Sequence, residues 1–488
     1  MTRAKLWTPA FILVVVIQFV LVIVNGSTTM ALPAIKAGLG ATNSNLQWFA
    51  ALFSLGFALV LVMSGRLGDL YGTKKLLLIG FAGLVLAMTL EAISPSIYLL
   101  LAARLLQGIA GGLTAPQLSA MIQRTFDGHD RTRAFSVFLM VSAGGFMAGQ
   151  LSSGALISSD VFGLGWRWAF LPIVPIGFVL WFFAARLLPH TPPGVAGRLD
   201  ITGAAVLGVV SFLVMFPLIQ GRNAGWPIWI FVMLACAIPV FAAFVTFERR
   251  IMANGGSPLI DPSLFKIPTF NAGNIITLLV GMLASAAPLY LILTIQIGFG
   301  RNALQAALLT CPMPFANMFG SLATAPLLRR FGRGAVTFGA VFCALSAVAI
   351  LIAVRDATDT ISPIVLVPGV VLLGFGLGIS IASGIAIVLG DVPHENAGSA
   401  SGVQSTGLQL AGSVGIAIYG IAFYGAIGST ENLHGYLAGV RWVMWISILL
   451  AAVQVALMYR LPKHRPGAEE EIPLSDPELL VIPDLHGE

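Results

Sequence analysis

Apolar runs of about 20 residues, the length a helix needs to cross a hydrocarbon core, follow one another along almost the whole chain. In lipid the backbone must satisfy its own hydrogen bonds, and unbroken apolar runs of this length do so as helices. Of the 488 residues 57% are hydrophobic and 9% charged, where a soluble domain carries about 25% charged residues. The chain is therefore read as an all-α membrane protein. Fourteen spans are predicted, over 8–35, 47–63, 75–93, 97–122, 133–157, 166–188, 201–220, 226–247, 270–297, 303–328, 336–354, 362–389, 399–427 and 440–459.

The positive charges test that count. Of 26 Lys and Arg, only Lys36, Arg167, Arg222, Arg301, Arg355 and Arg441 fall opposite the termini, and Arg104 falls within a span. The rest share the side of the termini, so both termini are placed in the cytoplasm. The net charge of +6 is spread over short loops and marks topology, not nucleic-acid binding. Cys236, Cys311 and Cys343 lie in apolar runs without metal-ligand spacing, and read as small core hydrophobes. Beyond Tyr459 the chain turns acidic and proline-rich, the composition of a disordered cytoplasmic tail.

Two stretches recur. "SGRLGDLYGTKKLLLIG" at 64–80 aligns with "TAPLLRRFGRGAVTFGA" at 324–340, and "HDRTRAFSVFLMVSAGG" from His129 with "HENAGSASGVQSTGLQL" from His394. Both pairs sit at similar offsets, and weak symmetry between two halves is a signature of transporters. The expected organisation is a six-helix bundle over 1–190, two inserted spans with linkers over 191–266, a second six-helix bundle over 267–460, and the tail over 461–488.

With these features the chain resembles the major facilitator superfamily, in its fourteen-helix drug:proton antiporter branch. Gly65, Leu67, Gly68, Asp69, Gly72, Lys74 and Lys75 fit the family's turn between helices 2 and 3, with Leu70 and Thr73 where cations are usual. "RLLQGIAGG" matches the helix-4 pattern through Arg104, Gln107, Gly108 and Gly111, and "GWRWAFLPIVPIG" and "MALPAI" match phrases of the branch. The resemblance implies the major-facilitator fold and alternating access, with export of hydrophobic or amphiphilic small molecules driven by protons. It implies no cofactor and no metal. It also implies that Gly65, Gly68, Asp69, Gly72, Lys74 and Lys75 form a gating turn that latches onto the start of helix 13 at 399–402. The plasma membrane and a monomer follow from the same resemblance, with lipid and the transported molecule as partners.

Two positions depart from the branch. Val24, followed by Asn25, stands where an aspartate precedes the "ALP" phrase, and Gln150 replaces the helix-5 proline. Gly145, Gly149 and Gly154 still permit close packing of helix 5. Glu91, near the outer end of helix 3, is the one acid placed inside a predicted span, and no histidine lies within a span. A charge in a span is costly, roughly 3 kcal/mol at its centre, so Arg104 is expected to face a cavity or to snorkel. Glu91 reads as its partner or as a surface carboxylate.

Arg104, Gln107, Glu91 and Asn25 are assigned to the cavity or to coupling; Glu91 or the cytoplasmic Asp69 carries the proton, or coupling is weak or absent. Gln18, Thr28, Asn271, Asn274, Asn317 and Gln404 are candidates for the substrate cavity, each equally able to serve as helix–helix glue. A cavity with Arg104 and no carboxylate disfavours dications. No nucleotide-binding "GxxxxGK[ST]" loop and no nucleophile–base set is present in the sequence, so neither ATP-driven transport nor an enzyme is expected. An uncoupled lipid or metabolite carrier and a non-transporting receptor or scaffold stand as alternatives.

Overall fold

The computed structural model describes residues 7–191, 200–254, 262–355, 362–390, 392, 397–428 and 432–460. Fourteen of its helices are long and apolar enough to cross a membrane. They are α1 (Pro9–Leu39), α2 (Asn43–Tyr71), α3 (Thr73–Ile93), α4 (Ile97–Thr125), α5 (Gly128–Ser159) and α6 (Ile173–Leu187), the last reaching spanning length with the turn ahead of it, as Gly165–Leu187. Then come α7 (Ile201–Ala224), α8 (Ile228–Ala253), α9 (Pro268–Leu293) and α10 (Ala303–Phe331). The last four are α11 (Ala335–Ala353), α12 (Val367–Gly390), α13 (Ala397–Ile427) and α14 (Leu433–Arg460). The acidic tail and the His394 turn lie outside the described residues.

Local chemistry sets the helix ends. The side chains of Thr8, Thr42 and Ser96 accept from the first-turn amides of α1, α2 and α4, and Asn302 with Gln305 forms a capping box at α10. Each satisfies donors that have no partner inside the helix. The predicted helix 6 begins late: Gly165–Ala169 is a 3-10 turn ahead of α6. The tight turn expected between helices 2 and 3 is also shorter than the sequence suggested. Helix α2 runs on to Tyr71 and α3 starts at Thr73, leaving Gly72 alone as the joint, at φ +88°. Gly65 and Gly68 are helical. A Cβ on Gly68 would press on the Gln117 side chain, so this glycine admits α4 instead of making a turn.

Lipid offers no hydrophobic drive for helices to associate, so packing follows backbone contact at small residues. In the first half α1 packs on α5, and α4 on both α2 and α3. The second half repeats this with α9 on α13, and α12 on α10 and α11. The glycines repeat too. A Cβ on Gly108 would strike the Phe53 carbonyl oxygen, and one on Gly112 that of Phe57. Gly374 and Gly378 meet the carbonyls of Met313 and Asn317 in the same way, each carbonyl 260 residues after its counterpart. Gly145 and Gly149 lie against Phe19 and Ile23 of α1, as Gly415 lies against Met282 of α9.

The two halves meet along α2 with α13 and α5 with α10. Helix α7 packs on α8, α2 and α13. The core is distributed unevenly. One cluster, with Phe11, Leu77, Phe81 and Phe126, belongs to the first half and includes residues near the end that bears the termini. A larger one crosses both halves through Ile35, Phe49, Phe170, Tyr290 and Phe423 at the opposite end, and runs through the second half to Val336, Ile387 and Met458. Of the three cysteines only Cys343 is in the core; Cys311 is half-buried and Cys236 exposed, because α8 turns most of its surface outward.

Gly149→Val should cost about 1–3 kcal/mol through forced separation of α1 and α5, read as a fall in melting temperature in detergent. Gly425→Val, where no atom lies within reach of a Cβ, should leave it unchanged. Equal melting temperatures for the two variants would contradict the glycine-contact account.

Candidate functional site

Between the halves lies a cavity of about 870 Å3, within the size range that holds a drug-sized molecule. Helix α1 supplies Gln18, Asn25 and Thr28 to it, spaced so that they share one helix face. Phe53 and Phe57 of α2 and Phe138 and Phe146 of α5 give it aromatic walls. Gly65, Gln123, Ser401 and Gly402 rim it at the end that bears the termini. At the other end it is shut. Gln47 Nε2 donates to the Tyr290 hydroxyl at 3.3 Å, and that hydroxyl donates to the Ile416 carbonyl. Gln296 Nε2 donates to the Met30 carbonyl at 3.3 Å, and the Leu304 amide to Ser158 Oγ at 3.0 Å. Tyr290 also packs on Phe423 and Tyr424. The cavity is thus open at one face and closed at the other.

Arg104 is the one charged side chain among the described residues that line this cavity, and no Asp or Glu lines it. It does not snorkel. Its Nε donates to the Phe49 carbonyl at 3.3 Å and its Nη1 to Thr28 Oγ1 at 3.0 Å. Its guanidinium lies over the rings of Phe49 and Phe53. Nη1 also donates to Gln107 Oε1, and Gln107 Nε2 donates to Glu91 Oε2 at 3.0 Å. Glu91 is fully buried, not a surface carboxylate. Gln107 therefore bridges acid and base: its amide offers an acceptor to the cation and a donor to the anion. In so dry a place each of these bonds carries more than it would in water. Glu91 and Gln107 stand behind Arg104 and do not line the cavity.

The gating residues have separate surroundings. Asp69 pairs with Arg124 of α4 at 3.0 Å in an exposed bridge. Lys74 donates from Nζ to the Leu188 carbonyl and from its backbone amide to Thr191 Oγ1, while Lys75 lies over the Tyr71 ring. Gly65 and Gly402 lie on either side of the cavity mouth.

Four of the proposed cavity residues lie elsewhere. Asn271 Nδ2 donates to the Phe265 carbonyl and Asn274 Nδ2 to the Phe270 carbonyl, both near the start of α9. Asn317 approaches Gly378 through its backbone. Gln404 is buried and absent from the wall; Ser401, Ser405 and Gln409 form the α13 face, and a residue one position before Ser405 is turned about 100° away. Gly154 packs on the Ala303 carbonyl at the start of α10, so it joins the halves, whereas Gly145 and Gly149 join helices within one half.

Sequence reasoning missed the cavity role of Phe53, Phe57 and Gln150. The i, i+4 spacing of the phenylalanines was the available signal. Gln150 is fully buried at the wall, and neither amide atom has a hydrogen-bond partner. Leaving such a group unpaired costs about 1–3 kcal/mol.

Two like bundles around a cavity open at one face have the architecture of a membrane carrier. Comparison with known proteins agrees. The family model described as Major Facilitator Superfamily matches residues 14–416. The chain is 36% identical to a probable actinorhodin transporter of Streptomyces coelicolor, over 82% of this chain and 69% of that one. It is 30% identical to a cephamycin export protein of Amycolatopsis lactamdurans, over 94% of each. A solved peptide transporter of the POT family shares the fold, with a TM-score of 0.69 at 16% identity over 94% of this chain and 99% of that one. The chain belongs to the Major Facilitator Superfamily and is a membrane transporter.

Gln107→Leu should strip a partner from both Glu91 and Arg104 and lower the melting temperature in detergent, by the equivalent of about 2–3 kcal/mol. An unchanged melting temperature would show that the bridge carries no stability.

Proposed function

We propose that this transporter exports hydrophobic or amphiphilic small molecules from the cytoplasm across the plasma membrane by alternating access, in exchange for protons. The observation that carries the proposal is the cavity itself, drug-sized, aromatic-walled and open only at the face that bears the termini. The distribution of positive charges supports a cytoplasmic placement of that face. The export proteins among its relatives support the direction and the substrate class.

Glu91 is the proton carrier in this reading. It lies two positions before the end of α3 at the closed face, and Gln107 and Arg104 lead from it to the cavity. Protonation of Glu91 removes the negative charge that balances Arg104 across Gln107. Arg104 then holds the Phe49 carbonyl and Thr28 without a counter-charge, and the packing of α1, α2 and α4 around it is weakened. Deprotonation restores the arrangement seen here. The 1–190 and 267–460 bundles move against each other, with α7 and α8 riding on α2 and α13, and the Asp69 turn closes on α13 once the cavity opens to the far side. In the conformation described here the Asp69–Arg124 bridge holds that carboxylate aside.

Proteoliposomes with a lipophilic dye test this. Dye flux should be driven by a pH gradient in the wild type and lose that dependence in Glu91→Gln, with downhill dye exchange retained. Flux indifferent to the gradient in the wild type would identify an uncoupled carrier, and absence of flux a non-transporting protein.

A further inference from the structure

The polar groups of the cavity are not equally engaged. Asn25 Nδ2 donates to the Leu21 carbonyl, Gln18 Nε2 to Ser142 Oγ, and Thr28 accepts from Arg104. Gln150 alone among these wall residues has neither end of its amide engaged, and it is fully buried. Its place is fixed from two sides. Its backbone amide sits beside Gly26 of α1, and one turn on, Gly154 meets α10 of the other half. Phe146, one turn before it, lies on the same face of α5 and also lines the cavity. Gln150 therefore stands at the inner end of the cavity, below the contact that closes it, with an aromatic ring beside it.

A side-chain amide offers one carbonyl acceptor and two N–H donors side by side. It is complementary to another edge of that kind: a carboxamide, a lactam, or a ketone beside a hydroxyl. A cation presents donors or bare charge and leaves the Gln150 N–H groups unanswered. No carboxylate among the described wall residues would take that charge. A purely apolar ring leaves both ends unanswered. We infer that Gln150 is a specificity-determining residue, reading a neutral donor–acceptor edge carried on a flat aromatic body that stacks among Phe146 and the other cavity rings. This deepens the exporter reading above and rests on it for the cavity being the substrate site.

A residue that keeps both amide ends unpaired for a ligand weakens the empty protein, whereas a residue that serves as packing glue strengthens it. The two roles therefore separate in one variant. The purified full chain in detergent is titrated with three fluorescent probes on one ring system: pyrene-1-carboxamide, 1-ethylpyrene and a pyrenylmethyl-trimethylammonium salt. The wild type should bind the carboxamide most tightly. Gln150→Leu should weaken the carboxamide about tenfold, as expected for loss of a buried hydrogen-bonded pair, and leave ethylpyrene within about twofold. Its melting temperature without probe should hold or rise. Gln150→Asn, shorter but still an amide, should recover part of the carboxamide preference.

Preference of the wild type for the ammonium probe, failure of the carboxamide to bind, or equal weakening of carboxamide and ethylpyrene by Gln150→Leu overturns the inference. So does a lower melting temperature with unchanged selectivity. The same probes in proteoliposomes separate the two readings. Selective binding without flux of any probe sinks the exporter reading and leaves Gln150 as a recognition group. Flux with unaltered selectivity in Gln150→Leu sinks the inference alone.

Discussion

Close approach of helix backbones is the constraint on which the rest of this structure depends. Apolar side chains gain nothing by leaving lipid for a neighbouring helix, so the bundles hold where glycine lets main chains touch. Gly108 and Gly112 seat α4 on α2, Gly374 and Gly378 seat α12 on α10, and Gly149 and Gly415 seat α5 and α13 on α1 and α9. Because these contacts recur in both halves, the two halves share one internal order.

That surface is asymmetric. At one end it is dry and aromatic, with Tyr290 tying α2, α9 and α13 together. At the other it opens into the cavity, with Gly65 and Gly402 apart across its mouth. The polar groups divide between these duties. Gln47, Gln296 and Ser158 make bonds between the halves that opening must break, while Gln107 serves Arg104 and Glu91 within one half. Arg104 is tolerated in the membrane because three acceptors and two rings replace its water.

How much of this could be read beforehand depended on range. Span number and helix type were legible because they need only local hydrophobicity. Arg104 and Glu91 stood out because a charge within an apolar run is rare enough to demand a partner. Gln107 was visible only as part of a resemblance, and its bridging position required α3 and α4 side by side. Asn271, Asn274, Asn317 and Gln404 were misplaced because polarity in a span does not say which side of the helix faces the hollow. Gly65 and Gly68 were read as turn residues for a like reason: the polar stretch around them suits a loop and a helix end that leaves the membrane equally well.

The amino-acid order alone determined that the chain crosses a membrane as fourteen helices, that its halves are related, and that a charge had to be housed among them. These follow from transfer energies and backbone hydrogen bonding, which act over a few turns of chain. Only the tertiary structure decided that Gln107 stands between Glu91 and Arg104, that Gln150 borders the cavity with its amide unengaged, and that one face is shut by Tyr290. Those facts depend on the rotation of each helix about its own axis. That rotation is set by glycine contacts between segments far apart in sequence, and no local pattern encodes it.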